Sequence, residues 1–203
     1  MEYCEILQRL PLDELRRRAE IVETLHGITP ARAGSGLYTW HDGGGQATAW
    51  QFTGDGRALL VTYEHESPLN LINEETDVQQ SLYEGVPIDL VEAVQQQASA
   101  TDFSLFDDDP DHPVIIAGGV FWFDGRIWRT AEGLLKYCVA TEIDICESGF
   151  DYCTYPYLLD KEFTPATVLE ERTTPAELHT DLTEADRDDM LREITAAFAA
   201  HGS

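Results

Sequence analysis

Glu64-His65-Glu66 places three reactive side chains at consecutive positions of the sequence. It ends the apolar run Ala58-Leu59-Leu60-Val61-Thr62-Tyr63, which reads as a strand. Alternation along a strand puts the two carboxylates on one face and the imidazole on the other. Such a pair performs general acid–base chemistry when burial raises the pKa of one member, and merely lines an exposed strand end when it does not. No other reactive residue converges on Glu64 and Glu66 by spacing, so a hydrolase-type enzyme built on them is the alternative expectation, not the first.

Asp107-Asp108-Asp109-Pro110-Asp111-His112 offers hard oxygen ligands of the kind calcium and magnesium take. The alternating Asp-x-Asp-x-Asp-Gly pattern and the closing Glu of a calcium loop are missing, and adjacent aspartates cannot all face one ion. A solvated or protein-docking loop is expected there, with no metal. Cys138, Cys146 and Cys153 have seven and six residues between them and no nearby His. Structural zinc sites use closely spaced pairs, so these three and the remote Cys4 are expected to be reduced, buried thiols. Gly-x-Ser-x-Gly is absent, and Gly34-Ser35-Gly36 lacks the strand–helix context of a nucleophile elbow. Gly43-Gly44-Gly45 has no helix after it and reads as a turn, while His41 and His179 have no visible partner. No catalytic residue, metal or cofactor is therefore assigned.

The remaining candidates are aromatic. Trp40 and Trp50 fall in one hairpin, Trp122 and Trp128 in another, so each pair could meet across its own turn. Core packing is the plain expectation. A pair that faced solvent would form a recognition patch framed by carboxylates, because aromatics anchor interfaces.

The elements that position these residues follow from periodicity and punctuation. Leu12, Leu15, Ala19, Val22 and Leu25 lie at helical spacing behind an acidic first turn, with Gly27 as the stop. Arg16-Arg17-Arg18 on that helix is expected to turn at least two guanidiniums to solvent or to the acidic body. Residues 36–65 read as a meander, turning at His41–Gly45 and Gly54-Asp55-Gly56. Glu74 to Tyr83 and Ile88 to Gln97 read as helices. A second hairpin is expected from Val114–Ala117 and Val120–Phe123 through Asp124-Gly125 into Arg126–Arg129. A helix then runs through Cys138. Ile143 to Leu159 reads as loop or short strand because it is rich in aromatics. Thr164-Pro165 starts a helix to about Arg172, and Thr183-Glu184-Ala185-Asp186 starts an amphipathic one carrying Met190, Leu191, Ile194 and Phe198. The expected fold is α+β: an antiparallel sheet of two aromatic-rich hairpins packed with several helices. One acidic domain spans 1–203, with an N-terminal helix strap at 1–30 and a C-terminal helix at 180–203.

Charge narrows the function. The chain has 203 residues, 13 Lys+Arg against 38 Asp+Glu, and a formal charge of −25. Ala58 to Gly125 holds fourteen Asp/Glu and no Lys or Arg. That field repels nucleic acids and anionic membranes, which need basic contacts. No apolar run approaches a membrane span, and Met1 to Glu5 lacks a signal-peptide start, so a cytoplasmic protein is expected. In general profile the chain is similar to bacterial toxin-immunity proteins, a likeness of composition that rests on no motif. The expectation is a non-catalytic binding protein that neutralises a basic partner such as a nuclease toxin. Asp107, Asp108, Asp109 and Asp111, with Glu74, Glu75 and Asp77, would supply the attraction. Trp122 and Trp128 would supply contact. Surface acidity that serves only solubility, and an adaptor or homo-oligomer using the aromatic hairpins, are the competing expectations.

Overall fold

A computed structural model describes residues 2–27, 34–98, 115–173 and 182–201. Helices α1 (Glu2–Gln8) and α2 (Leu12–Leu25) come first, followed by strands β1 (Leu37–His41), β2 (Gln46–Phe52) and β3 (Ala58–Glu64). Helices α3 (Thr76–Ser81) and α4 (Ile88–Ala98) then separate β3 from β4 (Gly119–Phe123) and β5 (Trp128–Thr130). The C-terminal part is helical: α5 (Glu132–Thr141), α6 (Phe150–Thr154), α7 (Pro165–Thr173) and α8 (Glu184–Ala200), with 3-10 turns at Ile145–Ser148 and Tyr155–Tyr157. The sheet is antiparallel throughout, in the order β1-β2-β3-β4-β5. The α+β class follows directly.

Both faces of the sheet are buried. Trp50, Phe52, Ala58, Leu60 and Phe121 face one core, closed by Leu7, Leu15, Val22, Phe150, Val168 and Ile194 of the N- and C-terminal helices. Ala49, Leu59, Val61 and Val120 face the other, closed by Leu82, Leu90, Val94 and Leu134. Alternation sets Trp50 and Phe52 of β2 against Ala49, and in β3 it divides one apolar set from another, not apolar from polar. Each face must carry helices, because a bare apolar face would leave its buried surface in water.

Local signals explain most boundaries. The Asp42 carboxylate accepts the N–H groups of Gly44, Gly45 and Gln46, closing the first turn. The Asp124 carboxylate does the same for Arg126 and Ile127 before β5. Thr183 and Asp186 form a reciprocal capping box at the start of α8.

Four expectations change. The N-terminal strap contains two helices, because Pro11 disfavours helical backbone at Leu10 and then caps α2. Residues Ile115–Ala117 lie outside any strand, while Tyr83 donates its hydroxyl to the Ile115 carbonyl at 2.7 Å. Helix α3 is shorter than the 74–83 expected. The largest change is at Ile143–Leu159, which is helical and not extended. The Asp144 side chain accepts the Cys146 N–H to start a turn, and Gly149, at φ 72, joins that turn to α6. Packing of Phe150, Cys153 and Tyr157 against the sheet overrides their strand preference.

In the arginine triplet, Arg16 and Arg17 stay partly exposed and one member goes inside. Arg18 is 4% exposed. Its guanidinium donates to Glu14 and to the carbonyls of Tyr157 and Leu158, at 2.8, 2.9 and 2.5 Å. Arg17 pairs with Glu14 and lies over the Phe163 and Phe198 rings. These guanidiniums fasten α2 to the C-terminal helices.

Candidate acidic cleft

Glu64 is the last residue of β3, and a turn closed by the Ser67 N–H on the Glu64 carbonyl brings Glu66 back beside it. The opposing wall comes from the 3-10 turn and α6. The Thr62 hydroxyl donates to the Ser148 carbonyl at 2.8 Å, and the Ser67 hydroxyl donates to the Glu147 carbonyl. Gly149 permits the approach: a Cβ there would sit 2.7 Å from the Glu64 Cβ. The result is a cleft of about 290 Å³ lined by Gln46, Glu64, Glu66, Ser67, Cys146, Glu147, Gly149 and Tyr152.

Among the described residues, three carboxylates and no cation line this cleft. Glu66 and Glu147 are exposed, while Glu64 is half-buried and its Oε2 is shut off from solvent with no hydrogen-bond donor among the described residues. Several cations elsewhere are taken up by pairing: Lys136 holds Glu84, Lys161 holds Glu171, Arg57 holds Asp55 and Asp89, and Arg129 holds Asp124. Clustered like charges in a concave, partly desolvated wall focus a negative potential that an incoming cation relieves.

The cleft is poorly equipped for thiol chemistry. Cys146 is exposed, not buried as expected, and hydrogen bonding to Asp144 pushes its thiol pKa up. Burial pushes the Cys153 thiol up to about 12, and its Sγ donates to the Tyr63 carbonyl at 3.0 Å. Both are therefore held as thiols at neutral pH, when the thiolate would be the nucleophile. Cys138 is buried and Cys4 half-buried; no disulfide joins the four. Among the described residues no group of His, Cys, Asp and Glu is arranged to hold a metal ion.

The other residues singled out from sequence are dispersed. Glu74, Glu75 and Asp77 are exposed around the start of α3. Asp107, Asp108, Asp109 and Asp111 lie outside the described residues. Trp122 and Trp128 do not share a patch: Trp122 pairs with Arg129 in the ladder, and Phe123 with Trp128, so the two indoles face opposite sides of the sheet. Trp128 is buried and meets Trp50 edge-on, with centroids 6.1 Å apart. Trp122 lies half-buried under the Arg129 guanidinium. Trp40 likewise misses Trp50 and packs edge-on against Tyr155.

Glu147, Ser67, Gln46 and Tyr152 were not visible as site residues in the sequence. They come from segments up to about a hundred residues apart that only the β3–α6 packing joins. A second cavity, about 470 Å³ and mainly apolar, lies between α2, α7 and α8, with Val22, Leu158 and Val168 among its walls. No helix among the described residues is long and apolar enough to cross a membrane. Compared with protein-family models, curated proteins and solved structures, the chain matches none.

Proposed function

We propose that this protein acts by binding a basic protein partner and not by catalysis. Its most concrete form is an inhibitor that neutralises a cytoplasmic nuclease toxin or another nucleic-acid-handling protein. The observation that carries the reading is the cleft at the end of β3, where, among the described residues, three carboxylates converge without a cation and one Glu64 oxygen lacks a donor. A lysine or arginine side chain from a partner supplies both the missing charge and the missing donor. The exposed Glu74, Glu75 and Asp77, and the Asp107–Asp111 segment of the sequence, add long-range attraction and raise the encounter rate. The same field argues against nucleic acid as the direct ligand.

Affinity capture from native extract at low and high salt, with mass spectrometry of the retained protein, tests this. A single basic protein retained in stoichiometric amount, released by salt and weakened by Glu64→Gln with Glu66→Gln, is the expected result. Binding that ignores both salt and those substitutions rejects it. A hydrolase reading rests on the convergence of Glu64 and Glu66 with the Ser67 and Tyr152 hydroxyls in one cleft. Turnover of a model ester or glycoside that Glu64→Gln abolishes would favour that reading instead.

A further inference from the structure

The two edges of the sheet are closed by one device. In the β1–β2 ladder, Phe52 donates to the Gly36 carbonyl at 2.8 Å and Asp42 donates to the Gln46 carbonyl at 3.1 Å. Those bonds fix the phase, so the backbone groups of Leu37, Thr39 and His41 point away from β2. On this outer edge the Thr39 N–H donates to the Glu23 carboxylate of α2 at 3.0 Å. The Leu37 N–H donates to the Ser35 hydroxyl at 3.2 Å.

The opposite edge matches. The Asp124 N–H donates to the Ile127 carbonyl and the Ala131 N–H to the Val120 carbonyl, which turns the Trp128 N–H outward. There the Gln8 side chain of α1 accepts the Trp128 N–H at 3.0 Å and donates to the Arg126 carbonyl at 3.4 Å. One primary amide thus imitates the donor and acceptor of a neighbouring strand. The Cys4 Sγ lies 3.5 Å from the Thr130 hydroxyl on the same edge.

Free strand edges present rows of unpaired N–H and C=O groups that template pairing with another chain. Here the guards on β5 and β1 come from consecutive helices of one N-terminal segment. Glu23 is 4% exposed, an expensive position for a carboxyl unless it holds a bond that matters. We infer that the α1–α2 segment is an edge guard, in which Gln8 takes the outward Trp128 N–H of β5, Glu23 takes the outward Thr39 N–H of β1, and the two keep both edges from pairing with a second copy of this chain. The inference is independent of the partner reading, since neither residue lines the acidic cleft.

The test compares the full-length chain with Gln8→Ala, Glu23→Gln and the double variant Gln8→Ala/Glu23→Ala. Hydrogen exchange resolved to the Thr39 and Trp128 amides and sedimentation velocity over a concentration series are the readouts. Loss of one backbone bond at each edge is expected to raise exchange at those two amides about fivefold or more in the double variant. The double variant is also expected to associate at concentrations where the native chain shows none of that growth. Glu23→Gln keeps an acceptor and should raise neither Thr39 exchange nor association above the native level, while Gln8→Ala should raise exchange at Trp128 alone. Gln8 is exposed, so Gln8→Ala remains informative if the double variant does not fold. Unchanged Trp128 exchange in Gln8→Ala, or a folded double variant with native exchange and native sedimentation, would overturn the inference.

Discussion

The arginine seam of α2 and the acidic cleft at the end of β3 treat charge in opposite ways. At the seam, Arg18 is buried but every neighbouring oxygen is matched: Glu14, the Tyr157 carbonyl and the Leu158 carbonyl all take its protons. Leu158 reaches that position with a left-handed φ of 48, so the guanidinium also secures an unfavourable turn. At the cleft, Glu64, Glu66 and Glu147 gather with no counter-charge among the described residues. Matched buried charge holds structure together, whereas unmatched charge costs stability unless a ligand completes it. A chain this acidic has few cations to place, and it places one of them inside the seam while the cleft lining has none.

The contrast breaks most readily at Arg18. Replacing it with Ala would take the donor from the buried Tyr157 and Leu158 carbonyls and leave Glu14 to Arg17 alone, and should cost about 3–5 kcal/mol in urea unfolding. A cost below about 1 kcal/mol would mean that the seam is decoration. Glu23, on the same helix, sharpens the picture with pH. Burial raises its pKa from 4.5 to about 7, the Thr39 N–H lowers it, and Glu20 adds to the rise. The folded state therefore holds a proton that the unfolded state has released. The protonated carboxyl's contribution is complete below pH 4.5 and is lost as pH rises to about 7. Glu23→Gln should remove that loss. It would stabilise the chain relative to native by at most about 3 kcal/mol at pH 8, and by little at pH 4.5. Equal unfolding curves for the two proteins at both pH values would refute this.

At the cleft the expected signs reverse. Glu64→Gln and Glu66→Gln together should leave stability the same or slightly higher, because they remove repulsion, while weakening a basic partner about tenfold. Lower stability with undiminished binding would show that the cleft belongs to the scaffold. The smallest effect belongs to the surface pair of half-buried Arg57 and exposed Asp89. Asp89→Asn should not move the urea midpoint measurably at 0.5 M salt, since solvent and ions already screen such pairs.

Much of the secondary structure was legible because its signals are short-range. Asp124-Gly125 announced its hairpin, Gly43-Gly44-Gly45 its turn, and Thr183 with Asp186 the start of α8. Ile143–Leu159 was not legible. Its Phe and Tyr residues favour strands, and only the Asp144 cap, the Gly149 link and packing on β3 make it helical. The pairing of Glu64 with Glu66 was visible from their spacing. Their meeting with Glu147 and Tyr152 was not, since no spacing rule connects the end of β3 to a turn some eighty residues later.

The sequence by itself determined the acidity, the five strands' approximate places and most helix starts, because composition, turn chemistry and capping act within a few residues. Only the tertiary structure decided that both sheet faces are buried, that Trp122 and Trp128 part company, and that one arginine of the triplet lies inside. It also decided that Gln8 and Glu23 close the sheet edges. Each of those outcomes depends on which distant group arrives to share a proton or exclude water, and that is settled only when the chain has packed.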